Sequence, residues 1–428
     1  MAQVKKVIAY AEVFPSGQRS TAVILKYDCK IVSVEALKQS YEVKNRKIVD
    51  AYTSEVPEKG KKESTGHYVV VELSIDDENA PTVNSGIQKS MLKQGGPPSG
   101  GPKKRMDEGT QKPQGGSNDG PGPGQGKESM VHRIPKISIA QIKPVRDENG
   151  MLVLPFEERE TEEAIQPIVD DFKQFQFGDM WYNLFVPKNY DAKKKYPLVM
   201  FLHDAEPSGT DPLLTLVQGI GAISFASKRD QQKHECFVLA PELLPNLRPY
   251  EEEGENDIAT AVKPILDHVM STYNIDEKRV YTTGQSGGCM TSCELNHRYP
   301  DLFAASLLVA GQWNVERMKN TKNNHYWICV SEHDVQAFPG MTELVCTLEK
   351  EGAHVSRYEC DAKSTSDELN RLANQAAKEN SNIKFTVFQG DSVVEEGFPK
   401  TPITNHLSTW QIAYGIDEIR DWLFTNTK

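Results

Sequence analysis

Along the first ninety positions, apolar residues recur in short alternating runs, the period of a strand with one buried face. Lys5–Val13, Ser20–Tyr27, Lys30–Val34, Lys47–Tyr52 and His67–Ile75 carry the pattern between turn-forming residues, with Val69–Leu73 (VVVEL) the clearest. Runs so closely spaced predict a small antiparallel β-sandwich. Gly95–Lys127 breaks the pattern. It is rich in Gly and Pro and nearly free of apolar side chains, too few to offset the entropy of ordering it. A disordered insertion is expected at about residues 95–128. Alternation returns at Lys136–Val145 (KISIAQIKPV), so the sandwich is expected to span residues 1–150 with the insertion inside it.

From Met151 the periodicity changes. Glu162–Phe172 suggests a short helix, and Met180–Val186 a strand. Tyr196–His203 (YPLVMFLH), Phe237–Ala240, Val280–Thr283, Ala304–Val309, Tyr326–Val330 (YWICV) and Ile383–Phe388 are strand-like runs, mostly apolar, aromatic or β-branched. That is how strands buried on both faces read. Between them, Asp257–Tyr273 places Ile258, Val262, Ile265, Leu266 and Val269 on one helical face, capped by Asn256 or Asp257. Pro264 inside it is expected to kink or break that helix. Cys289–Tyr299 reads as a helix stopped by Pro300, and Thr409–Phe424 as a final helix. Some seven or eight strands alternating with helices predict a mostly parallel sheet over residues 151–428.

Composition narrows the partners. The 428 residues allow two or three domains, and a net charge of −11 argues against nucleic acid or anionic membrane as partner. No run of 18 apolar residues exists to span a bilayer. The N-terminus (MAQVKKVIAYAEVF) reads as a first strand rather than a signal peptide. The seven cysteines are scattered and odd in number, unlike a disulfide framework. Their number favours a reducing interior, whereas an accessory sandwich favours export; the compartment stays open. Cys289 and Cys293 lie one turn apart with no second pair to complete a zinc site, so helix packing is the reading. No G-x-G-x-x-G, P-loop or H-E-x-x-H occurs, so neither metal nor nucleotide cofactor is implied.

The chemistry sits in Arg279–Met290 (RVYTTGQSGGCM). A β-branched run leads into Gly284-Gln285-Ser286-Gly287-Gly288, a G-x-S-x-G nucleophile elbow. A serine needs a base to take its proton and an acid to orient that base. In the α/β-hydrolase order these follow as acid, then histidine. Asp334 lies just past YWICV, with Glu332 as rival, and His406 lies in the loop expected before the last helix. Two backbone N–H groups are needed for the oxyanion: Gly287 after the nucleophile, and Ala205, or Asp204, after YPLVMFLH. His203 is read as support for that loop, and Trp313 as either a substrate-binding aromatic wall or core packing.

The stretches YPLVMFLHDAE, NIDEKRVYTTGQSGG, RYPDLFAASLLVAG, SEHD and NHLSTW with a terminal DWLF resemble a bacterial esterase group of the α/β-hydrolase superfamily. That group is related to polyhydroxybutyrate depolymerase-like esterases and to predicted peptidases, and some members carry an N-terminal immunoglobulin-like domain. The resemblance covers about residues 180–425 and implies Ser286, Asp334 and His406 as triad. His203-Asp204 stands where members commonly show His-Gly, and Gly287 where they often show Met. The expected activity is carboxylic ester hydrolysis on a small-molecule or polymer-borne ester. The alternatives are a serine peptidase of prolyl-oligopeptidase-like type or a non-catalytic binding protein on the same scaffold. The sandwich could bind polysaccharide, cover the active-site mouth or make a homo-oligomer.

Overall fold

The computed structural model describes residues 3–84 and 130–428, apart from 135, 206, 208, 210, 252 and 255. The Gly/Pro-rich stretch expected as an insertion lies outside the described residues.

Two facing sheets build the N-terminal domain. One runs Glu163–Ile165, Val4–Phe14, Gly17–Val32, Thr65–Leu73, Ile48–Ser54, antiparallel except for its first pair. The other pairs Phe156–Glu160, Ser138–Gln141 and Tyr41–Val43. Val7, Val23, Leu25, Val69, Val71 and Ile139 fill the space between them. On the opposite face of the first sheet Ile8, Ile24, Tyr52 and Val70 form a smaller buried cluster. Both faces of Val69–Val71 are therefore covered, which is why that run is apolar without alternation. The two runs expected at Ser20–Tyr27 and Lys30–Val34 are one strand, irregular between Lys26 and Ile31.

Residues Phe156–Ile165 also join these sheets, carrying the domain past residue 150. The helix expected over Glu162–Phe172 is not there. Glu163–Ile165 is an edge strand, Val169–Asp171 a 3₁₀ turn, and Phe172 starts a new strand. Pro167 disfavours helix at the residue before it, and Ile168 takes a positive φ of 69°.

The strands of the large sheet are numbered in chain order: β1 Phe172–Phe177, β2 Met180–Phe185, β3 Tyr196–Leu202, β4 Phe237–Pro241, β5 Ile275–Gln285, β6 Ala305–Val309, β7 Tyr326–Ser331, β8 Val355–Cys360 and β9 Ile383–Phe388. Their spatial order is 1-2-4-3-5-6-7-9-8. All pairs are parallel except β1–β2 and β2–β4. The order reverses around β3 and β5, and such sheets bind ligands outside the strands' carboxyl ends at that point.

Helices cover both faces: α1 Ile258–Thr272, α2 Gly287–Arg298, α3 Ala337–Lys350, α4 Ser366–Ala377, α5 Pro402–Ala413 and α6 Asp417–Leu423. Asp257 caps α1, accepting from the Ala259 and Thr260 N–H groups. That helix runs unbroken through Pro264. Pro264 and Thr260 both face solvent, so water can meet the Thr260 carbonyl that proline leaves without a donor. The single C-terminal helix expected over Thr409–Phe424 is two helices. Gly415 interrupts it, and Ile416 is extended and buried.

Candidate active site

The elbow is a close meeting of backbones. β5 enters at Gln285, Ser286 sits at φ 51°, ψ −117°, and α2 leaves from Gly287. An L-residue in the positive-φ region is strained, and strain of this kind concentrates at functional sites. The flanking glycines permit the turn. A Cβ on Gly284 would stand 2.4 Å from the Gly288 carbonyl carbon, and one on Gly288 would stand 2.0 Å from the Leu202 carbonyl oxygen. The elbow helix is thereby pressed against the end of β3, bringing the loop at His203–Ala205 beside the nucleophile.

The three residues expected to form a triad come together. Ser286 Oγ lies 2.9 Å from His406 Nε2, and His406 Nδ1–H donates to Asp334 Oδ2 at 2.6 Å. Asp334 is 2% exposed. Its other oxygen accepts the Gln336 and Ala337 backbone N–H groups at 3.1 and 3.0 Å at the start of α3. Burial pushes the Asp334 carboxyl up, but the hydrogen bond and charge of His406, with those backbone donors, hold it below the usual carboxylate range. The rival acid, Glu332, is exposed and turned to the Gly390 N–H.

His406 is on a helix, not in the loop expected for it. α5 begins four residues earlier, because Thr401 and Thr404 form a reciprocal capping box and Pro402 occupies the first turn. Buried Asn405, next to His406, ties this helix to the acid strand. Its Oδ1 accepts from Ser331 Oγ at 2.9 Å, and its Nδ2 donates to Asp391 at 2.8 Å. Trp410, one turn on, meets the His406 ring edge-on at 5.3 Å.

The expected oxyanion donors are close neighbours. A Cβ on Gly287 would be 3.8 Å from the Ala205 backbone nitrogen. Among the described residues, neither the Gly287 nor the Ala205 N–H has a hydrogen-bond acceptor. The Ser286 N–H is engaged by the Val309 carbonyl. His203 is fully buried and bridges the loop: its Nδ1–H donates to the Asp204 carbonyl, and its Nε2 accepts the Leu243 N–H at 3.0 Å. Burial holds its imidazole below the usual range, so it stays neutral.

Trp313 is tied to the elbow helix α2. Its indole N–H donates to buried Glu294 at 2.8 Å, and the half-buried ring packs on the cluster beneath α3. No described contact joins it to the triad. Glu294 also receives Arg298 and Arg317, so this indole is anchored by a charged network before any substrate arrives. Cys289 and Cys293 are buried in the same cluster. Among the described residues no group of three or more His, Cys, Asp or Glu could hold a metal, and no helix is long and apolar enough to cross a membrane.

Two features went unread in the sequence. Gln285, directly before the nucleophile, donates from Nε2 to Asp204 Oδ2 at 2.8 Å. Glu242, just after β4, is 1% exposed; among the described residues neither carboxyl oxygen has a hydrogen-bond partner, and the His203 Nε2 lies 3.9 Å from Oε2. It lines a cavity of about 90 Å³ with Asp179, Trp181, Gly209 and Leu244. Burial, aided by the charges of Asp211 and Asp204, pushes this carboxyl well above its ordinary range. A signal existed for Glu242, since a carboxylate closing an all-apolar strand (FVLAPE) has no local partner.

The large sheet with its elbow is an α/β-hydrolase fold, preceded by an immunoglobulin-like domain. Residues 6–153 match the family described as the esterase Ig-like N-terminal domain. A crystal structure of a thermostable esterase aligns with 99% of this chain and 100% of its own at 25% identity and a TM-score of 0.76. Shorter similarities reach poly(3-hydroxyalkanoate) depolymerase C of Paucimonas lemoignei, 36% identical over 53 residues, and acetylxylan esterase A of Emericella nidulans, 38% over 53. Each covers 12% of this chain, and they span only 13% and 17% of those two relatives. The architecture is that of a serine-hydrolase carboxylesterase.

Proposed function

We propose that the chain hydrolyses carboxylic esters through an acyl-enzyme on Ser286. Ser286 Oγ attacks the ester carbonyl while His406 Nε2 takes its proton. Asp334 holds Nδ1–H and stabilises the imidazolium that forms. Negative charge on the carbonyl oxygen is met by the Gly287 and Ala205 N–H groups. Collapse of the tetrahedral intermediate expels the alcohol, which leaves with the proton from His406. Water then attacks the acyl-enzyme with His406 as base, a second tetrahedral intermediate collapses, and the free acid leaves with Ser286 reprotonated.

One observation carries this reading: the unbroken Ser286–His406–Asp334 chain at 2.9 and 2.6 Å, in a strained turn. The similarity to a thermostable esterase supports it. The two shorter relatives are named for polymer-borne esters, which fits a small-molecule or polymer-borne ester as substrate. The half-exposed face of Trp313 would form one wall for it.

The test is a p-nitrophenyl ester panel, from acetyl to long acyl chains, on wild type and Ser286→Ala. Turnover in wild type that vanishes in the variant is expected. Turnover of peptides but no ester would transfer the same triad to a peptidase. Turnover of neither, with no reaction at Ser286, would leave a binding protein.

A further inference from the structure

The oxyanion loop carries Asp204 where a glycine would be unremarkable, and the side chain is 7% exposed. Its partner is Gln285, 2% exposed, whose backbone belongs to β5 and precedes Ser286. The Nε2–H···Oδ2 bond of 2.8 Å joins the loop carrying Ala205 to the strand carrying the nucleophile. Gln285 is itself immobilised, since β5 lies between β3 and β6 and Gln285 pairs with Val309. Its Nε2 makes a longer contact, 3.4 Å, to Gln218 Oε1. At Gln218 the catalytic domain meets the N-terminal one. A Cβ on Gly17 would stand 3.5 Å from the Gln218 carbonyl oxygen, and a Cβ on Gly219 would stand 3.0 Å from the Pro15 carbonyl oxygen. The Pro15–Gly17 turn of the sandwich therefore sits directly against the backbone that orients Gln218.

We propose that Gln285 and Asp204 are a positioning pair that fixes the Ala205 N–H at the oxyanion, with Gln218 extending the restraint to the Pro15–Gly17 turn of the N-terminal domain. This rests on Ser286 as nucleophile and Ala205 as oxyanion donor. Neither Gln285 nor Asp204 touches the reacting atoms in this role. They act through the loop. His203 fixes the Asp204 carbonyl, and Gln285 fixes its carboxylate, so the peptide leading to Ala205 is held at both ends. Preorganised donors are effective because they need not reorganise as charge develops, and a displacement of about 1 Å can cost about a hundredfold in rate.

The experiment measures kcat and KM on a p-nitrophenyl ester for Gln285→Met, Asp204→Leu, Asp204→Asn, the Gln285→Met/Asp204→Leu double variant, Gln218→Met and Ser286→Ala, with thermal melting of each. Acylation and deacylation both pass through an oxyanion. Gln285→Met and Asp204→Leu should therefore lose about 10- to 100-fold in kcat with KM within about twofold. Asp204→Asn keeps an acceptor oxygen and should recover most of that loss. The double variant should lose no more than the worse single one, because both break one contact. Gln218→Met should lose about threefold, as fits its longer contact. Wild-type kcat in Gln285→Met overturns the pair, and wild-type kcat in Gln218→Met overturns its extension to the N-terminal domain. Equal losses in Asp204→Asn and Asp204→Leu, tracking melting temperature, would reduce the pair to a structural role and likewise overturn it. If Ser286→Ala keeps full turnover, the functional reading itself fails, a result none of the other variants can mimic.

Discussion

Replacing Asp334 by asparagine changes one oxygen to an amide nitrogen, and the structure determines which. Oδ1 accepts two backbone N–H groups, from Gln336 and Ala337, at the start of α3. An amide nitrogen placed there would face two donors, so the asparagine keeps its oxygen on them and turns Nδ2 toward His406. A donor opposite His406 Nδ1 selects the tautomer with the proton on Nε2, which then faces Ser286 Oγ. The imidazole can no longer take the serine proton. Loss of the correct tautomer in a Ser-His-Asp site costs about 10⁴ in kcat, or about 5.5 kcal/mol at about 1.4 kcal/mol per tenfold. The same two backbone bonds keep the loop folded, so KM should move little. The assay is steady-state hydrolysis of a p-nitrophenyl ester with thermal melting in parallel. Melting adds a sign. Asp334 titrates below the usual carboxylate range in the fold, so its contribution to stability is present above that range and fades as pH falls through it. Any gap in melting temperature between wild type and Asp334→Asn should close toward low pH. A kcat loss of less than about tenfold, or a gap that widens in acid, would refute the reasoning.

Three further outcomes follow from other sites. Gly288→Ala should destabilise by about 1–3 kcal/mol and lower kcat, because its Cβ would meet the Leu202 backbone; Gly287→Ala, whose Cβ would make only ordinary van der Waals contact with Ala205, should cost little stability. Removing Asp230, which is buried and pairs with Arg420 at 2.7 and 2.9 Å, leaves that buried guanidinium with the more exposed Asp417 at 2.7 Å as its carboxylate partner. Asp230→Ala should cost about 2–4 kcal/mol, less than a wholly unpaired charge would, read as a drop of about 4–16 °C in melting temperature. Glu242 has a raised carboxyl in the fold, so the folded state binds its proton more tightly than the unfolded chain. Wild type should then lose stability relative to Glu242→Gln as pH rises from the ordinary carboxylate range up through the raised one of the fold, and a difference that stays flat with pH would contradict this.

Much of the candidate site was legible because local rules fix it. G-x-S-x-G needs glycines where a Cβ would strike backbone, and the end of β5, with β6 and β7, is mostly apolar or β-branched because helices cover both faces of the sheet. Less local features were not legible. Val355–Cys360 (VSRYEC) is an edge strand whose partial exposure hides its period. The hairpin of β1 and β2 extends the sheet to nine strands, but the single burial-patterned half, Met180–Val186, was the part that could be read. α5 starts at Thr401 through a threonine–threonine box, a weaker signature than the usual Glu or Gln partner. The Gln285–Asp204 contact joins residues 81 positions apart, and nothing in either neighbourhood announces the other.

The central claim is that Ser286 is the nucleophile of an ester hydrolase. Wild type and Ser286→Ala are treated with a fluorophosphonate, the adduct is mapped by peptide mass spectrometry, and p-nitrophenyl acetate turnover is followed as labelling proceeds. The account requires a stoichiometric adduct on Ser286, activity lost in proportion to it, and neither label nor turnover in the variant. An adduct confined to another residue, or full ester turnover by Ser286→Ala, would contradict it.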